Sequence, residues 1–85
     1  MRARENYIDE IKALRTAISD IQRLSDALEI HDWDSPNGRI YGRYQRAMEA
    51  LMMAVTELAV EADTAGWPDV QMEAYRQARA DRMAA

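Results

Sequence analysis

A continuous helical seam across residues 44–65 is the feature that most limits what this chain can fold into. Its apolar members recur at alternating steps of four and three residues, which keeps one line of side chains facing a neighbouring helix. They are Tyr44, Met48, Leu51, Val55, Leu58, Ala62 and Ala65. We therefore predict a long helix here, and because its apolar surface is broad we expect it to be the central helix of the fold.

The same segment carries a second apolar side. At about 100° per residue, Met53 and Val60 lie well off the seam, and Met52 lies between the two directions. One neighbouring helix cannot cover both sides. The sequence leaves two covers open, a third helix of this chain or another protein chain, and we predict Met52, Met53 and Val60 as partner-binding residues.

The rest of the chain predicts an all-α fold of three helices, with one helix before the seam helix and one after it. The first covers residues 6–30, with Asn6 as its cap and the same four-three apolar spacing. The second helix, around the seam, covers residues 36–65, because Ser35 before Pro36 is typical of a helix start. Gly66 suits a left-handed stop, and Pro68 opens a short third helix over residues 68–82.

The short linker between the two long helices predicts an antiparallel hairpin, with the shorter third helix docked against it. Charges at the helix ends agree with that pairing. At one end Asp26 and Glu29 would lie beside Arg39, Arg43 and Arg46, and at the other Arg2 and Arg4 would lie near Glu57, Glu61 and Asp63. A chain of 85 residues without cysteine forms one small domain of marginal stability, so we expect two hairpins to dimerise into a helical bundle.

Two arginine stripes are candidate anion sites. Arg39, Arg43 and Arg46 share one face of the second helix, and residues 76–82 carry a shorter stripe. Each guanidinium can present a fork of donors to a phosphate oxygen. The formal net charge of −4 and the neighbouring acidic residues favour ion pairing instead, so we expect no nucleic-acid partner.

The chain offers no arrangement typical of catalysis or metal binding. Cysteine is absent, and His31 is the single histidine. The acidic stretch from Asp32 to Gly38 is out of register for a calcium loop, whose twelfth position would be Arg43 rather than a glutamate. We therefore expect no catalytic residue, no metal site and no cofactor.

Trp33 and Trp67 stand in the two junctions between predicted helices. A large ring beside a turn most often closes the end of a core, and this is the favoured interpretation. Tryptophan is also enriched among the residues that anchor protein partners. We therefore include Trp33 and Trp67 with the predicted partner-binding residues.

No motif in the sequence identifies a reaction or a ligand. The leading hypothesis is a cytoplasmic interaction module, a homodimer that acts as regulator, adaptor or inhibitor of a protein partner, as small acidic helical proteins of phages and mobile elements often do. The alternatives are nucleic-acid association through the arginine stripes and acidic mimicry of nucleic acid. No apolar run reaches the roughly 20 residues of a membrane span, so we expect no membrane partner.

Overall fold

The computed structural model describes residues 3–27 and 38–84, apart from the side chains of residues 38, 39 and 41. These residues form three helices and no strand, which confirms the all-α prediction for the described part of the chain. The helices are α1 (Arg4–Ala27), α2 (Gly38–Thr64) and α3 (Val70–Ala84). The predictions for the end of the first helix, the Ser35–Pro36 start and Trp33 fall outside the described residues.

The start of α1 differs from the prediction that Asn6 caps it. The helix begins at Arg4, and the Asn6 N–H donates to the Ala3 carbonyl at 3.0 Å, so Asn6 lies inside the first turn. Ala3, Arg4 and Glu5 favour helix formation. The Arg4 side chain is also held by Asp69, just before α3, which stabilises the extra turn.

The end of α2 confirms the predicted stop at Gly66. Its φ is +96°, a left-handed conformation that side chains with a Cβ rarely adopt. The Gly66 N–H donates to the Asp63 carbonyl at 3.0 Å, and the Trp67 N–H donates to the Ala62 carbonyl at 2.8 Å. This pair of bonds is a Schellman motif, which satisfies carbonyls that the helix end would otherwise leave open.

The start of α3 lies two residues later than predicted. Pro68 and Asp69 form a turn, and the helix begins at Val70. The Glu73 N–H donates to the Asp69 carbonyl at 3.1 Å, which is the first bond of the new helix. Asp69 therefore stands at the N-cap position, where a short acidic side chain is favoured.

The buried core lies where α1 begins, α2 ends and α3 begins. All three helices contribute to it, and Ile11 and Val70 are its largest fully buried side chains. The buried hydrophobic residues are Tyr7, Ile8, Ile11, Val55, Ala62, Val70, Ala74 and Ala78. Three partly buried residues, Leu14, Ile18 and Leu58, extend the core along α1 and α2.

The central helix is α1, and the prediction that residues 44–65 form the central helix is wrong. Helix α1 packs against α2 and against α3, whereas α2 and α3 barely meet. Small side chains explain the difference. Ala74 and Ala78 of α3 are buried, and because they project little they allow close packing against α1; Ile8, Val70 and Ala74 belong to one buried cluster.

Candidate interaction surface

The candidate site is the exposed side of α2, which we call the outer face. Its apolar centre is Met52, Met53 and Val60, whose side chains are 57%, 63% and 60% exposed. The outer face comprises Arg43, Arg46, Glu49, Met52, Met53, Thr56, Glu57, Val60 and Glu61, all of which are exposed. It runs along more than four turns of the helix.

Helix α3 does not cover the outer face. Its packing is almost entirely against α1, and Met52, Met53 and Val60 remain open to solvent. Of the two covers that the sequence left open, the third helix is therefore excluded. Within the described residues, no other element packs on these three side chains.

The centre of the outer face is a shallow depression lined by Met52, Met53, Thr56 and Glu57. The Thr56 Oγ1 donates to the Met52 carbonyl at 3.1 Å, so this hydroxyl is already bonded within its own helix. Two methionines beside it supply flexible, polarisable surface of the kind used at adaptable protein contacts. The depression is therefore suited to an apolar partner rather than to a small polar ligand.

Trp67 is not buried at the end of the core, although core closure was the favoured interpretation. It is 38% exposed. Its N–H makes one of the two bonds of the Schellman motif, seven residues beyond Val60. The turn fixes its backbone, but the side chain is not part of the outer face. The structure thus exposes Met52, Met53 and Val60 on α2 itself, whereas Trp67 lies in the junction after that helix.

The predicted anion site is only partly described. Arg43 and Arg46 are exposed on the outer face, and the Arg39 side chain is outside the described residues. Neither Arg43 nor Arg46 forms an ion pair with a described residue, Asp26 included. Glu29 lies outside the described residues.

At the other end of α2, Arg2 lies outside the described residues, and the ion pairs of Arg4 are with Glu5 and Asp69 rather than with a carboxylate of α2. Arg4 bonds to Asp69 at the N-cap of α3, with its Nε 3.1 Å from Oδ2, and its Nη1 lies 3.9 Å from Glu5. The start of α3 therefore lies beside the first turn of α1, with the Asp69 carboxylate within reach of Arg4. Glu61 instead accepts a hydrogen bond from the Tyr7 hydroxyl at 3.1 Å.

A second stripe on α1, missed in the sequence, holds α3. Arg4, Ile8, Lys12, Arg15 and Ser19 follow one another at steps of four, four, three and four residues. Lys12 Nζ lies 2.7 Å from Asp81, Ser19 Oγ accepts from Arg82 at 3.1 Å, and the Arg15 guanidinium lies 5.4 Å from the centre of the Tyr75 ring. Long cationic side chains can cover apolar surface with their stems, so their polarity does not exclude them from a contact between helices. The helical spacing of these residues was the signal that could have identified the stripe.

Between the later turns of α1 and α3 lies an open cleft of about 650 Å³. Its walls carry both signs of charge, and Arg82 and Ser19 already bond to each other across it. No group of three or more His, Cys, Asp or Glu in the described ranges is placed to hold a metal ion. None of the three helices is both long and apolar enough to cross a membrane.

The Arg4–Asp69 pair has a testable electrostatic consequence. The side-chain hydrogen bond from Arg4 lowers the pKa of Asp69 from its ordinary value of 3.8, because it stabilises the ionised carboxylate. The stabilisation is therefore present above that ordinary value and is lost as the pH falls through the lowered pKa.

We expect a carboxyl-detected NMR titration to place the Asp69 midpoint below 3.8 in the wild type and to move it upward in Arg4→Gln. Lys12→Gln removes the other ion pair between α1 and α3 and serves as the control, because it leaves the Arg4 contact in place. An Asp69 midpoint that is the same in the wild type and Arg4→Gln would refute this pairing in solution.

Comparison of the chain with protein-family models, with curated proteins and with solved structures finds no match.

Proposed function

We propose that this protein is a small helical interaction module that acts through the outer face of α2 and that self-associates as a homodimer. In this proposal α1 and α2 form an antiparallel hairpin, and two hairpins pair into a bundle flanked by the α3 helices. The role that follows is that of a regulator, adaptor or inhibitor, which works by occupying a protein surface rather than by chemistry.

The observation that carries the proposal is the exposure of Met52, Met53 and Val60 together on one helix. Single exposed apolar residues are ordinary, but a group of large ones on one face is typical of a protein contact. Residues 3–27 and 38–84 supply no cover for them, since α3 packs on α1 instead. A second chain would remove this surface from water and would add to the small core.

A protein partner fits the outer face better than a nucleic acid does. Arg43 and Arg46 could contact phosphates, but Glu49, Glu57 and Glu61 are exposed on the same face. These carboxylates oppose the approach of a polyanion along the helix. The apolar centre between the charges has no counterpart in a phosphate backbone.

Replacement of Met53 and Val60 by glutamate is expected to dissociate the homodimer and leave the helices folded. Burial of each side chain is worth about 1.5–3 kcal/mol, so losing both weakens association by more than about 100-fold. Sedimentation at micromolar concentration measures the mass, and far-ultraviolet circular dichroism measures the helix content.

The matched control is the double variant Met72→Glu with Met83→Glu. These methionines are 69% and 78% exposed on α3, so the same charge is added away from the outer face. The control should sediment as the wild type does. A wild-type protein that is monomeric at micromolar concentration would refute the homodimer.

A further inference from the structure

We infer that the second copy binds antiparallel across the outer face of α2, with a two-fold axis near Met53. In this arrangement Arg43 and Arg46 of each copy meet Glu57 and Glu61 of the other. The inference rests on the proposed self-association and adds its orientation and the residues that determine it.

The charges of the outer face are divided along the helix. Arg43 and Arg46 precede the apolar centre, and Glu57 and Glu61 lie in its later turns. All four are exposed, and Arg43, Arg46 and Glu57 form no ion pair with a described residue of their own chain. Their charges are therefore available to a partner of matching polarity, and an antiparallel copy of α2 has that polarity.

The spacing along α2 also matches a two-fold axis at Met53. Arg46 precedes Met53 by seven residues and Val60 follows it by seven, which is about 10.5 Å in each direction at 1.5 Å per residue. The axis therefore places Arg46 of one copy level with Val60 of the other. Glu61 then lies about 1.5 Å and Glu57 about 4.5 Å from that level along the helix, within reach of the guanidinium.

The sides of the helix agree with this pairing. At about 100° per residue, Arg43, Arg46, Glu57 and Glu61 all fall on one side of the line through Met53 and Val60. Glu49 falls on the opposite side. An antiparallel two-fold axis brings like sides of the two helices together, so the arginines face the glutamates, whereas Glu49 and Glu57 stay on opposite sides.

A parallel pair would be less favourable. It would place the later turns of both copies at the same level and gather their Glu57, Glu61 and Asp63 carboxylates. Like charges held close together at an interface oppose association. Glu61 is also positioned in advance by its bond from Tyr7 at 3.1 Å, so little side-chain freedom is lost when an arginine approaches.

Disulfide cross-linking tests the orientation directly, because the chain has no cysteine of its own. The single variants Met53→Cys, Arg46→Cys and Val60→Cys are oxidised separately, and the last two also as an equimolar mixture. Intact-mass spectrometry then identifies each linked pair. Met72→Cys, exposed on α3, sets the rate of linkage by random collision.

The antiparallel arrangement predicts rapid self-linkage at position 53 and rapid 46–60 linkage in the mixture, each more than about tenfold above the control. It predicts control rates for 46–46 and 60–60 linkage. In the antiparallel pair, the two copies of residue 46, and likewise those of residue 60, would lie about 21 Å apart along the helix direction. A disulfide needs Cα atoms within about 7 Å.

Rapid 46–46 and 60–60 linkage would overturn the orientation while leaving self-association through the outer face intact. Control rates for every pair, with a wild type that sediments as a dimer, would overturn the use of the outer face in self-association. A monomeric wild type would refute the proposed homodimer itself. The three failures are therefore distinguishable.

A charge exchange gives a second, independent measurement. Arg46→Glu should weaken the dimer about tenfold or more at low salt, because it places a carboxylate beside Glu57 and Glu61 of the other copy. Adding Glu57→Arg should restore most of the affinity. A double variant that remains as weak as Arg46→Glu would overturn the pairing.

Discussion

Replacing Ile11 with alanine is expected to lower the free energy of unfolding by about 2–5 kcal/mol, the range measured for truncating a fully buried aliphatic side chain. Ile11 is 0% exposed and belongs to the core cluster formed by all three helices. The alanine would leave a cavity beside neighbours from each of them. In a chain of 85 residues this loss is a large part of the total stability.

Thermal unfolding followed by circular dichroism measures the effect, and the midpoint should fall by more than about 10 °C. Leu24→Ala is the control, because it removes a side chain of the same size from the same helix where it is 53% exposed. Equal midpoint shifts in the two variants would contradict the position of the core. Leu14 and Leu51 are only partly buried, so their truncation should cost less than that of Ile11.

Val70→Asp is expected to destabilise the fold by about 3 kcal/mol or more and to separate α3 from α1. Val70 is 1% exposed at the start of α3, and the variant removes its apolar contacts and places a carboxylate among apolar side chains. Such a group must either be desolvated or draw water into the core, and both cost free energy.

Met72→Asp is a close control for that variant. It introduces the same carboxylate two residues further along α3, at a side chain that is 69% exposed. Hydrogen exchange should show faster exchange of the α3 amides in Val70→Asp than in Met72→Asp. Similar exchange in both variants would mean that Val70 does not attach α3 to the core.

The sequence was most informative about the helices and about where α2 ends. The four-three spacing predicted both long helices, because a helix must place its apolar side chains on one side. Gly66 identified the stop, since few residues adopt its positive φ. The predicted starts of α1 and α3 were less accurate. Helix-favouring residues before Asn6 extend α1 past the predicted cap, and Pro68 lies in a turn rather than in the first turn of α3.

The arrangement of the helices could not be predicted from apolar width. Residues 44–65 have the broader apolar surface, yet α1 is the shared neighbour of both other helices. The contact between α1 and α3 depends on close approach at Ala74 and Ala78 and on polar contacts such as Lys12 to Asp81. Neither signal increases a count of large apolar residues, so the sequence predicted the third helix only as a short helix docked against the hairpin.

The sequence predicted the candidate surface because residues 44–65 carry more apolar surface than one neighbouring helix can cover. The structure then located that surface on the exposed side of α2. Helical geometry placed Met53 and Val60 off the seam, but it could not tell whether α3 reached them. In the structure α3 packs on α1, and Met53 and Val60 are exposed, so α3 does not reach them. The order of charges along α2, arginines first and glutamates later, could indicate the orientation of a partner only once the structure had shown that these residues are exposed.

The packing of α3 on α1 has a consequence for how the chain reaches its fold. Arg4 bonds to Asp69 across 65 positions, and Arg82 bonds to Ser19 across 63, so the α1–α3 contact joins segments far apart in sequence. Such closure is slower than the pairing of neighbouring segments. During synthesis α1 emerges before either of its neighbours, and the side of α1 that will hold α3 stays open until α3 has been made.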